Sequence, residues 1–216
     1  VIIVAAAVAF SAVGAAGLVL AINRLLRFLA NKKLTILGAQ RVGKTTLFQT
    51  LRDGKPPKRS KYTVDPEPGM EFTLRLKGKD VRFAIPKDMP GHDGVAFPTW
   101  RAAFESSDQV WYLFRADLIA SGDVATIQLV TSHLTLLKVW LKSMSGPKPS
   151  VLLVGTFADQ VSDYSHSHED VLKRVADCAP IKAGQVQLNN AELVVGSLAN
   201  ARMATTMVKT IERAIS

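Results

Sequence analysis

Hydrophobic positions along this chain follow three patterns, and each predicts a different element. From Val1 to Ile22 the run is apolar and uncharged, with Ser11, Gly14 and Gly17 as its polar content. At about 1.5 Å per residue it is long enough to cross a hydrocarbon core of roughly 30 Å as one helix. Next, apolar Leu25, Leu26, Phe28 and Leu29 mix with Arg24, Arg27 and Asn31. That mixture predicts a helix running on into the headgroup zone, with its arginines snorkelling. Beyond Lys33, short apolar runs alternate with helical faces. Strands are expected at 33–37, 71–76, 81–85, 110–114, 150–154 and 193–195, with 71–85 forming a hairpin around Gly78-Lys79. Helices are expected at 46–51, 95–104, 124–141, 169–178 and 203–215. Strands alternating with helices predict a three-layer α/β domain, with a mostly parallel six-stranded sheet and helices on both faces. The expected division is a transmembrane helix at 1–22, a basic juxtamembrane segment at 23–33 and the α/β domain at 34–216.

Charge sharpens this picture. The chain has 216 residues and a net charge of +9. Between Asn23 and Lys61 stand eleven basic residues and one acid, Asp53, while the remaining residues nearly cancel. The excess begins immediately after the apolar run, which points to an anionic membrane surface as partner and away from nucleic acid. Arg24, Arg27, Lys32 and Lys33 on that flank put the domain on the cytoplasmic side of a single-pass anchor. A cleaved signal peptide would carry its charge ahead of a shorter apolar run. One cysteine, Cys178, excludes an internal disulfide framework, and the four histidines show no metal-ligand spacing with it.

The chemistry concentrates where the first strand ends. Gly38-Ala-Gln-Arg-Val-Gly43-Lys44-Thr45 matches G-x-x-x-x-G-K-[ST] at every defined position, between an expected strand and an expected helix. Such a loop cradles phosphate with backbone N–H groups and the helix N-terminus. Gly38, Gln40, Arg41, Val42, Gly43, Lys44, Thr45 and Thr46 are the expected phosphate ligands. Lys44 brings positive charge to the outer phosphates, and Thr45 offers a hydroxyl to Mg²⁺, which takes few protein ligands. Asp88-Met-Pro-Gly91-His92 follows the 81–85 strand; Asp88 is expected to hold Mg²⁺ through water, and Gly91 to present its N–H to the terminal phosphate. Thr156-Phe157-Ala158-Asp159 follows the 150–154 strand, and Ser197-Leu198 the last one. All lie at the carboxyl ends of strands, where open α/β sheets bind ligands.

In this order the motifs resemble the small GTPases of the Ras–Arf type among the P-loop NTPases, over residues 34–216. The D-x-P-G-H form is also similar to that of translation-factor GTPases. An apolar anchor joined directly to such a domain resembles the layout of signal recognition particle receptor β subunits. The resemblance implies a G domain binding GTP or GDP with Mg²⁺ and hydrolysing GTP by in-line attack of water. It implies that Thr63 joins Thr45 and Asp88 at the metal, with Ser60 as the rival for that role. It gives His92 the role of orienting the attacking water, beside Lys44 as the other catalytic residue. Thr156, Phe157, Asp159, Ser197 and Leu198 would hold guanine, Asp159 by accepting from its ring N–H and amine. A protein effector or regulator is implied as well.

Two positions depart from the family. Phe157 stands where the family has Lys, so stacking would replace the lysine's aliphatic contact with the base. Gln40 stands where many Ras-like members have a small residue. Both leave open a second function, a G domain that hydrolyses little and serves as a membrane scaffold subunit. An ATPase is permitted by the phosphate loop alone, but Asp159 opposes it, since adenine presents no matching pair of donors.

Overall fold

The computed structural model describes residues 16–57, 70–76, 79–85, 97–162, 164 and 168–216. Six strands form one sheet in the order β2-β3-β1-β4-β5-β6: β1 (Lys33–Gly38), β2 (Met70–Leu76), β3 (Lys79–Ile85), β4 (Gln109–Arg115), β5 (Ser150–Thr156) and β6 (Glu192–Val195). Five of them are parallel, and β2 joins as an antiparallel edge through its hairpin with β3. The alternation of side chains along each strand sorts two cores. Leu34 and Ile36 of β1, Trp111 and Leu113 of β4, and Leu152 and Val154 of β5 face one layer. Leu37, then Val110, Tyr112 and Phe114, then Val151 and Leu153 face the other.

The first layer holds a helix at 16–28 (α1), α2 (Lys44–Asp53) and α8 (Ala201–Ile215). On α1, Leu18, Ala21, Ile22, Leu25, Leu26 and Leu29 are buried in one core with Leu47, Leu51, Ala204, Met207, Val208 and Ile211. Their spacing of three and four is that of one helix face. Burial of each of the leucines contributes roughly 1.5–3 kcal/mol. Asn31, left-handed at φ 64°, ends the segment, and its N–H donates to the Asp80 carbonyl at 2.8 Å. The helix thus shares a core with the domain expected at 34–216. The α1 segment packs in this core, so Leu18, Ala21 and Ile22, from the last part of the expected span, are buried against protein. Residues 1–15 lie outside the described residues.

The second layer contains α3 (Phe97–Glu105), α4 (Ala116–Ala120), α5 (Val124–Ser143), α6 (His168–Asp177) and α7 (Ala179–Gln187). Among the described residues α5 alone has the length and apolar composition of a membrane span. It buries Val130, His133, Leu134, Leu137, Trp140 and Leu141 against the sheet layer, which accounts for that composition within the fold. α7 presses on α5 so closely that a Cβ at Gly184 would sit 2.7 Å from Leu134 Cδ1.

Candidate nucleotide site

The phosphate loop begins where β1 runs out. Gly38 has φ 146°, and a Cβ there would lie 2.4 Å from the Leu113 carbonyl oxygen, so only glycine fits. Gly43, at φ 88°, is the residue before α2, and a Cβ on it would lie 3.6 Å from Phe157 Cε2. No side chain caps α2, and no acid stands in its first turn. The positive end of the α2 dipole therefore favours an anion at this point. Lys44 is buried, 5% exposed, and its ammonium donates to the Gly38 and Ala39 carbonyls at 2.8 and 2.6 Å. A buried ammonium over an uncapped helix start favours a negative ligand. Gln40, Arg41 and Thr45 are exposed, Thr46 half-buried and Val42 buried. A cavity of about 240 Å³ adjoins the loop, lined among others by Gln40, Arg41, Tyr112, Phe114 and Leu118.

The loop after β5 closes on the phosphate loop. The Thr156 hydroxyl is buried and lies 2.9 Å from the Val42 carbonyl and 3.0 Å from the Phe114 carbonyl. Its proton is committed to backbone, so Thr156 clamps the phosphate loop to the sheet and does not offer a side-chain donor to a base. Phe157 is left-handed, φ 59°, and opens the one-turn 3₁₀ helix Ala158–Gln160. Asp159 is half-buried in that turn and accepts from Gln160 Nε2 at 2.7 Å. Ser197 is buried; its hydroxyl accepts from the Ala199 N–H at 3.0 Å, and the Ala158 N–H donates to the Gly196 carbonyl at 3.1 Å. Leu198 turns its side chain into the core. These two residues thus offer backbone, not side chains, to a ligand.

The structure brings Lys44, Thr45, Thr156 and Phe157 to one end of the sheet, with Asp159 and Ser197 on the adjoining loops. Thr63, Asp88, Gly91 and His92 lie outside the described residues, so of the expected Mg²⁺ ligands Thr45 alone is described. Thr45 is exposed at the start of α2. Among the described residues no group of three His, Cys, Asp or Glu could hold a metal ion. Sequence reasoning missed Arg115 and Asp117, which flank Phe157; an arginine ending a buried strand, with a carboxylate two residues on, was the available signal. It also missed His133, whose Nδ1 lies 3.0 Å from the Tyr112 hydroxyl in the core. Burial, helped by the Lys44 charge, pushes this imidazole down to about 4.

No protein-family model and no curated protein matches the sequence. In fold the chain is similar to an ADP-ribosylation-factor-like GTP-binding protein, the small COPII coat GTPase SAR1 of Encephalitozoon cuniculi, solved in complex with GDP. The TM-score is 0.58 at 14% identity, over 97% of this chain and 91% of that one. The likeness is one of fold: this chain shares the α/β architecture of that small GTPase.

Proposed function

We propose that this chain is a membrane-anchored GTPase switch, binding GTP or GDP with Mg²⁺ and hydrolysing GTP to GDP and phosphate. The observation that carries the reading is the phosphate loop: a buried Lys44 ammonium above an uncapped α2, in a G-x-x-x-x-G-K-T frame. Lys44 and the N–H groups of residues 40–46 bind and orient the phosphates, and Asp159 with the Ser197-Leu198 backbone selects guanine. Thr45, Thr63 and Asp88 would hold Mg²⁺, which when bound offsets charge on the β- and γ-phosphate oxygens. Gly91 and His92 act at the terminal phosphate, His92 by accepting a hydrogen bond from the attacking water. GTP-dependent ordering of 55–69 and 88–104 would set affinity for a protein partner.

The anchor belongs to the same proposal, as does the layout shared with signal recognition particle receptor β subunits. With Leu18 onward committed to the domain, a span must be built from residues 1–17 or from further upstream. Seventeen residues meet the lower limit of roughly 17–25 for a spanning helix. The domain then sits directly against the cytoplasmic leaflet. Phe157 in place of lysine favours the second reading, a scaffold subunit that retains nucleotide and hydrolyses little.

Chromatography of nucleotide released from the denatured, purified protein tests the reading. GDP or GTP at about one equivalent is expected, and none after Lys44→Ala, which removes the principal charge facing the phosphates. Adenine nucleotide, or none in the parent, would overturn it. GTP in place of GDP would favour the scaffold.

A further inference from the structure

The guanine site departs from its family at Phe157, and the structure surrounds that residue with an arrangement its motif does not contain. Arg115 ends β4 and is paired in register with Thr156, the residue before Phe157. Its guanidinium lies over the Phe157 ring, 4.2 Å from the ring centroid. The guanidinium is itself gripped in a fork: Nε donates to Asp117 Oδ1 at 2.7 Å, and a terminal nitrogen donates to Asp117 Oδ2. Asp117 is nearly buried in the first turn of α4. The bidentate pair removes the freedom an arginine side chain normally keeps. On its loop side the ring faces Gly43 of the phosphate loop, where an added Cβ would come within 3.6 Å of Phe157 Cε2. The Asp117 carboxylate holds the Arg115 guanidinium above its ordinary value against the opposing effect of burial, and Asp159 adds a smaller push in the same direction.

We propose that Arg115 is the positioning residue of the base site: fixed by Asp117, it holds the Phe157 ring against the phosphate loop as the stacking surface for guanine and sets a positive charge near Asp159. Together Arg115 and Phe157 divide the work of one family lysine, the ring supplying the apolar plane and the guanidinium the charge. The inference rests on the guanine-nucleotide reading above. In this reading Arg115 acts through Phe157 and Asp159, and Asp117 acts through Arg115.

The test is competitive binding of GDP, IDP and inorganic pyrophosphate to the full chain and its variants. A contact of this kind is worth about 3- to 30-fold in affinity. Arg115→Gln is expected to weaken GDP by about tenfold and to leave pyrophosphate within about twofold; Arg115→Lys restores part of the loss. Phe157→Leu should weaken GDP similarly, and the double variant no more than Phe157→Leu alone, because one residue acts through the other. IDP, lacking the 2-amino group, tracks GDP in the Arg115→Gln variant if the loss is in stacking. Unchanged GDP affinity in Arg115→Gln overturns the inference, as does an equal loss for pyrophosphate, which would mark a general packing role. A parent that binds pyrophosphate but no guanine nucleotide overturns the reading beneath it as well.

Discussion

Asp159 is held in a single turn of 3₁₀ helix between Phe157 and the 160s, half-buried, with one oxygen already accepting from Gln160. In the guanine-nucleotide function proposed above, this carboxylate would accept from the two adjacent donors of guanine, and hydrogen bonds to a charged group are worth roughly 1.5–3 kcal/mol. Asp159→Asn should therefore weaken GDP by about 10- to 100-fold and improve XDP, whose extra carbonyl takes an amide donor. Unchanged preference in competition binding would remove Asp159 from the site. His133 makes a different prediction. Its imidazole is pushed by burial from its ordinary 6.5 to about 4, so the folded protein keeps it neutral where the unfolded chain protonates it. The unfolded state then binds more protons between those values, and stability falls as pH drops from about 6.5 to about 4, with no contribution from this group above that window. The full loss is roughly 3 kcal/mol. Urea midpoints at pH 7.5 and 4.5 should diverge more in the parent than in His133→Gln; equal divergence would exclude His133 as the cause.

At the scale of elements, α1 decides whether the N-terminal run belongs to the lipid or to the protein. Leu25 and Leu29 are fully buried among Leu34, Leu47 and Val208. Leu25→Ala should cost about 2–5 kcal/mol in denaturant unfolding, as a core truncation does. Removal of residues 1–15 should leave the melting transition in place, while removal of 1–30 should abolish it; a chain beginning at 31 that melts like the parent would show α1 to be dispensable. The sequence carried this helix as apolar positions at 18, 21, 22, 25, 26 and 29, but the uncharged run before it masked the period. The strands were legible to within two residues because a buried parallel strand is a continuous apolar run. α4 was missed for its length, five residues. α7 was missed because Gly184 and two β-branched residues blur its face, although Pro180 in its first turn marked a helix start. The turn at Gly38 and Gly43 was legible because each of these glycines answers a backbone need. The grip of Asp117 on Arg115 and of Arg115 on Phe157 was not, because it joins β4 to the loop after β5 through space.

At the scale of the whole molecule, the described basic residues after the apolar run differ in what they engage. Lys44 is buried in the phosphate loop, Arg52 is paired with Asp53, the Lys33 ammonium donates to the Ser106 hydroxyl, and Lys32 lies over Phe28. Lys58, Arg59 and Lys61 lie outside the described residues. Arg41 and Lys55 are exposed elsewhere; Arg24 and Arg27 are exposed on α1, and with Leu20, itself 65% exposed, they share a stripe at spacings of four and three. The stripe runs from apolar at the end nearer the N-terminal run to basic at the end nearer β1, the order a helix needs when its start dips toward a bilayer and its arginines meet the headgroups. Each basic residue near an anionic leaflet contributes roughly 1 kcal/mol, screened beyond about 8 Å at physiological salt. A chain of residues 16–216 should therefore co-sediment weakly with vesicles containing phosphatidylserine, less with pure phosphatidylcholine, and less in high salt. Replacing Arg24 and Arg27 by Gln should lower the anionic binding by about 10- to 30-fold without moving the melting transition, since neither side chain is in the core. Binding that ignores both the two substitutions and the lipid charge would mean that α1 serves the domain alone, and that any membrane attachment resides wholly in the residues before it.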